Sequence, residues 1–119
     1  MPSIADNLNR VREKIEQTLQ RCGRTGSEVT LVAVTKTHSV ETVDEALSLG
    51  IWHIGENKVQ EALRKIPMLS QPYDGFHFIG HLQSNKINNL LSLKPVLIQS
   101  VDSLHIAQKL NRSVGNKNL

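Results

Sequence analysis

With 119 residues, 39% of them hydrophobic and 21% charged, the chain has the composition of one globular domain with a modest core. A net charge of +3 would favour a phosphorylated small molecule, but with 3% aromatic residues it falls short of a nucleic-acid footprint. No apolar run approaches the ~20 residues that span a bilayer, the first residues lack the order of a secretory signal, and the single cysteine, Cys22, allows no internal disulfide, which fits a reducing cytoplasm.

The chain opens with an amphipathic pattern. Ile4, Leu8, Val11, Ile15 and Leu19 recur at helical spacing between polar residues, and Ser3 with Asp6 makes an N-terminal cap. Gly23-Arg24-Thr25-Gly26-Ser27 breaks this helix and leads into a strand, Thr30 to Thr37. Ser39 caps a helix carrying Val40, Val43, Ala46 and Leu47, which Gly50 ends. A second strand, Ile51 to Gly55, is followed from Glu56 by a helix with Val59, Ala62, Leu63 and Ile66 that Pro67 stops. After a polar loop containing Tyr73 come a third strand, Phe76 to Gly80, and a helix from Ser84 to Leu93. A fourth strand, Val96 to Val101, precedes a last helix capped by Ser103, and the tail from Gly115 to Leu119 has no pattern. Four strands, each followed by a helix, recur every 20–25 residues or roughly so, the rhythm of right-handed βα units on a parallel sheet.

Lys36 stands out in that frame. It ends a strand rich in Val and Leu, which reads as buried on both faces. An ammonium there would lose hydration and give up its proton more readily, and a neutral amine attacks aldehydes, so such a lysine can hold a carbonyl cofactor as a Schiff base. The plain alternative is a solvated lysine just past the strand. In parallel βα proteins chemistry gathers at the C-terminal strand ends. Here those ends read Thr35-Lys36-Thr37, Gly55-Glu56-Asn57-Lys58, Gly80-His81-Leu82-Gln83-Ser84-Asn85-Lys86 and Gln99-Ser100-Val101-Asp102-Ser103. They bring amines, amides, hydroxyls and a histidine to one rim, with Gly55 and Gly80 allowing close backbone approach. Capping alone would explain Asn57, Ser84 and Ser103, and a helix dipole would explain Glu56. His77, between Phe76 and Phe78, reads as a satisfied core histidine, and Trp52 and Phe78 read as core. The strand end between His77 and His81 spoils a zinc pair, so no metal is expected. Cys22 has no histidine beside it, and no glycine-rich phosphate loop is present.

The segments Val32 to Lys36, Ile54 to Glu61, His77 to Lys86 and Ser100 to Ser103, in this order and after an amphipathic helix, resemble the pyridoxal phosphate homeostasis protein family over essentially the whole chain. The resemblance implies a fold like the N-terminal domain of alanine racemase, an α/β (β/α)₈ barrel of the TIM type. It implies pyridoxal 5′-phosphate held as an internal aldimine on Lys36, with Asn57 an amide near the cofactor and His81, Gln83 and Asn85 in the motif that lines the pocket. Family members are generally monomeric, have no established turnover, and carry, buffer and deliver the cofactor inside the cell.

An eight-unit barrel needs about twice this length. Residues 1–119 therefore read as a single domain, the N-terminal half of the barrel: a first helix plus about four βα units. Family members supply the phosphate clamp from the second half, so the chain reads as a fragment, a piece of a split protein, or a half that pairs with another copy. Two other functions compete. An amino-acid racemase on the same fold would need a second base, and Tyr73, the only tyrosine, precedes strand three at the wrong end of the barrel. A non-catalytic half-barrel module would instead use bare strand edges to bind a partner chain.

Overall fold

The computed structural model describes residues 3–26 and 29–116. Ser27 of the expected break and residues 117–119 of the expected tail lie outside the described residues. Helix α1 (Ile4–Cys22) begins with a full capping box: the Asp6 N–H donates to Ser3 Oγ at 3.1 Å, and the Ser3 N–H donates to the Asp6 carboxylate at 3.3 Å. Gly23, at φ 68°, closes the helix in the left-handed region. Of the apolar stripe, Leu8 and Leu19 are buried, whereas Val11 remains 43% exposed. Arg12 ties this helix to the next unit by donating to the carbonyls of Leu49 and Gly50, at 3.2 and 2.8 Å.

Four βα units follow. They comprise β1 (Val32–Val34), α2 (Val40–Ser48), β2 (His53–Glu56), α3 (Val59–Lys65), β3 (Gly75–Phe78), α4 (Ile87–Leu91), β4 (Leu97–Ile98) and α5 (Leu104–Asn116). Short 3₁₀ turns, Ile66–Met68 and Ser84–Lys86, extend α3 and precede α4. The strands form one parallel sheet in the order β1-β2-β3-β4. This is the α/β architecture that the recurrence predicts, and the helix core residues pack against one face of the sheet.

The register divides the side chains cleanly. Ala33, Ile54 and Phe76 form one row, and Glu56, Phe78 and Ile98 the next, all facing the helices. Ile54, Glu56 and Phe78 are fully buried there, Phe76 nearly so, against Val43, Leu47, Ala62, Leu82, Ile87 and Leu90. The opposite face carries Val34, Gly55, His77 and Leu97 in one row, and Val34 and Leu97 are 50% and 52% exposed.

Several expectations need correction. β1 is not buried on both faces, because one side of the sheet bears no helix layer among the described residues. The strands are shorter than read, although ladder bonds continue past them: Thr35 N–H to Gly55 O, Ile79 N–H to Glu56 O and Gln99 N–H to Phe78 O, each 2.9 Å. Glu56 is the last residue of β2 rather than the start of a helix. Asn57 and Ser84 are not caps: α3 starts after Lys58 and the 3₁₀ turn after Gln83, neither with a side-chain cap bond. Ser39 and Ser103 do cap, accepting from the Thr42 and Ile106 N–H groups at 3.2 Å. Gly115 and Asn116 are helical, the end of α5. Trp52 is not core but half exposed, just ahead of β2, whereas Phe78 is core as expected.

Candidate functional site

Beyond β1 the chain turns sharply. The His38 N–H donates to Thr35 O at 3.2 Å, closing a turn with Lys36 and Thr37 at its centre. Thr37 sits at φ 66°, a region that a β-branched residue enters at a cost. Lys36 is exposed. The expectation that its amine is stripped of water is therefore corrected, and the reason is geometric. Lys36 lies past the last residue of β1, within the turn and open to solvent, while Thr35 is buried beside Glu56 and Lys65.

The desolvated amine belongs to another residue, Lys65. It is 5% exposed at the end of α3, and its Nζ donates to Thr35 O at 2.7 Å, Glu61 Oε2 at 2.8 Å and Glu56 Oε2 at 3.0 Å. Thr35 Oγ1 donates to the same Glu56 oxygen, and the Thr37 N–H donates to Glu61 Oε2 at 2.6 Å. Glu56 Oε1 is buried without a hydrogen-bond partner. Burial works against ionisation of Glu61, but the hydrogen bonds from Lys65 and the Thr37 N–H, with the charges of Lys65 and Arg64, outweigh it and hold that carboxyl below its ordinary range. Sequence reasoning missed Lys65 because it looks like any basic residue in a helix's last turn. Its spacing of four from Glu61, on a helix that starts just after Glu56, was the available signal.

Asn57, His81 and Gln83 come together. They line a cleft of about 590 Å³ at the C-terminal ends of β2 and β3, with Lys58, Arg64 and Lys86 around it. Gly80 sets that geometry, since a Cβ there would lie 2.6 Å from the Asn57 carbonyl carbon and 2.7 Å from Asn57 Oδ1. Ser100 Oγ donates to the Gly80 carbonyl, which joins the end of β4 to the same rim. His81 Nδ1 lies 3.6 Å from Asp102, but both side chains are mostly exposed and the pair contributes little. Asn85, exposed within the 3₁₀ turn, and Lys36 do not line this cleft.

On the bare face a polar chain crosses the sheet. Gln99 Nε2 donates to His77 Nδ1 at 3.0 Å, so the neutral ring carries its proton on Nε2, which lies 3.1 Å from His53 Nδ1. His77 is 6% exposed, the satisfied histidine that the sequence suggested. Burial, then the neighbouring His53, lowers its pKa below the ordinary 6.5. Among the described residues no three His, Cys, Asp or Glu side chains gather as a metal would require.

No family model matches the chain. It is 47% identical over 66 residues to the pyridoxal phosphate homeostasis protein of Escherichia coli strain K12, a match covering 56% of this chain and 28% of that protein. The protein of that name from Vibrio cholerae is 40% identical over 84 residues, covering 67% of this chain and 36% of the relative. The chain resembles the pyridoxal phosphate homeostasis proteins. In structure, PipY of Synechococcus elongatus PCC7942, solved with PLP bound, superposes with a TM-score of 0.81 at 34% identity over 98% of this chain and 50% of its own. An unknown protein from Bifidobacterium adolescentis gives 0.88 at 32% identity, over 98% and 51%. The chain thus spans about half the length of these solved structures, and its matches to the curated relatives span about a third of theirs or less.

Proposed function

We propose that the chain is part of a protein that binds pyridoxal 5′-phosphate and serves its homeostasis in the cytoplasm, as a carrier and buffer without turnover. The observation that carries this reading is an exposed residue, Lys36, just past the C-terminal end of a strand that has no helix layer on one face among the described residues. When bound, pyridoxal 5′-phosphate supplies an aldehyde that condenses with a primary amine, releasing water. The residues fit that group. Lys36 is the covalent anchor, and its exposure gives the aldehyde access that a buried amine such as Lys65 would deny. Asn57, braced by Gly80, orients the ring from the neighbouring strand, and His81 and Gln83 line the same cleft, while Asn85 in the turn beyond it rests on the family resemblance alone.

In the same reading the four units are half of a (β/α)₈ barrel, and the bare face is its interior. Half-exposed Val34 and Leu97 on that face, β1 and β4 as strand edges, and matches to about half of longer solved chains support this. The other half, a C-terminal segment or a second copy, would close the barrel and supply the phosphate clamp. The test is direct. Excess pyridoxal 5′-phosphate should give the protein a visible absorbance band that borohydride reduction fixes onto Lys36, located by peptide mass. Lys36→Ala should remove both band and label, and a variant that keeps them would sink the assignment.

A further inference from the structure

The turn that presents Lys36 is held from both sides by one charge cluster, with Glu56 and Lys65 buried and Glu61 at its partly open edge. On its N-terminal side, Thr35 O accepts from Lys65 Nζ at 2.7 Å, and Thr35 Oγ1 donates to Glu56. On its C-terminal side, the Thr37 N–H donates to Glu61 at 2.6 Å. Lys65 joins the two halves, at 3.0 Å from Glu56 and 2.8 Å from Glu61. The only charged groups in these bonds are Lys65, Glu56 and Glu61. Only Lys36, between the two anchor points, is free of the cluster and exposed. Thr37 is held at φ 66°, a conformation that persists only where surrounding bonds fix it.

We propose that Glu61, with Lys65 and Glu56 behind it, is a positioning residue: it fixes the Thr35–Thr37 turn and with it the place from which the Lys36 amine is presented. The inference rests on the reading of Lys36 as the cofactor anchor. It assigns to Glu61, which also lines the cleft of Asn57, His81 and Gln83, and to Lys65 and Glu56 behind it, the task of lowering the entropic cost of presenting that amine.

Glu61→Ala is the discriminating variant, because Lys65 keeps its bond to Glu56 and the buried pair stays intact. In the full chain without cofactor, the Thr37 amide should exchange with deuterium much faster in Glu61→Ala than in the wild type. Labelling of Lys36 by pyridoxal 5′-phosphate and borohydride should slow on the order of tenfold. Glu61→Gln, which retains an oxygen to accept the Thr37 N–H, should restore both. Asp44→Ala, which removes the carboxylate that accepts from Ser70 and Gln71, should lower stability while leaving Lys36 labelling unchanged. Unchanged Thr37 exchange in Glu61→Ala, or unchanged Lys36 labelling despite faster exchange, would overturn the inference. Were wild-type Lys36 to take no label at all, the functional reading would fail, and Thr37 exchange alone would judge whether the turn is held as described.

Discussion

His77 carries a pH dependence that follows from its surroundings. Its ring is buried and bonded on both nitrogens, and protonation would both strip a charge of water and set it against His53. Its folded pKa therefore lies below the unfolded 6.5, and the unfolded chain binds more protons between those two values. Stability is fully present above 6.5 and is lost as pH falls through the folded value. Urea midpoints measured across this range should drop for the wild type and stay flatter for His77→Gln; parallel profiles would refute the sign. At this scale the sequence was informative where chemistry depends on residue type and local spacing. Alternation between two phenylalanines marked His77, and a polar residue closing an apolar strand marked Lys36. Burial was not legible, since it depends on which face receives the helices. The desolvated amine thus proved to be Lys65, whose three partners lie 4, 9 and 30 residues away.

Among the elements, β2 and α3 are the pair on which the rim depends. Glu56 ends the strand on its helix-facing side, and Lys65 at the far end of α3 reaches back to neutralise it. Removing the ammonium leaves a fully buried carboxylate unpaired, so Lys65→Met should cost about 3–5 kcal/mol by denaturant titration. Glu56→Gln combined with Lys65→Met should recover part of that loss, because no uncompensated charge then remains. A double variant as unstable as the single one would show that packing rather than charge governs the site. Helices with a sharp apolar period and a serine ahead of it, α1, α2 and α5, had starts readable from sequence nearly to the residue, although α5 runs through Gly115 and Asn116 into what reads as an unpatterned tail. Strand limits were not, because a strand ends where its neighbour stops offering hydrogen bonds. Nor were the starts of α3 and α4, where Asn57 and Ser84 have the chemistry of caps but other positions in space.

For the molecule as a whole, the sheet is lopsided. Its helix-facing side holds the core, whereas the other side presents Val34 and Leu97 half exposed on β1 and β4, the two edge strands of the described sheet. Such a surface favours association. Sedimentation should therefore find species heavier than the 13.3 kDa monomer, and a charge at Leu97, as in Leu97→Asp, should shift the distribution toward the monomer. A wild-type chain that stays monomeric at high concentration would mean that the bare face is content with water. The parallel order of four units was evident from their recurrence along the chain, but the exposure of Val34 and Leu97 on the edge strands depends on what packs there. Trp52 turns this asymmetry to experimental use. It is the only indole, half exposed at the base of β2, while Lys36 projects from the other end of the neighbouring strand. Its fluorescence is thus a native beacon for whatever docks at the base of the sheet, separated by the length of a strand from events at the rim.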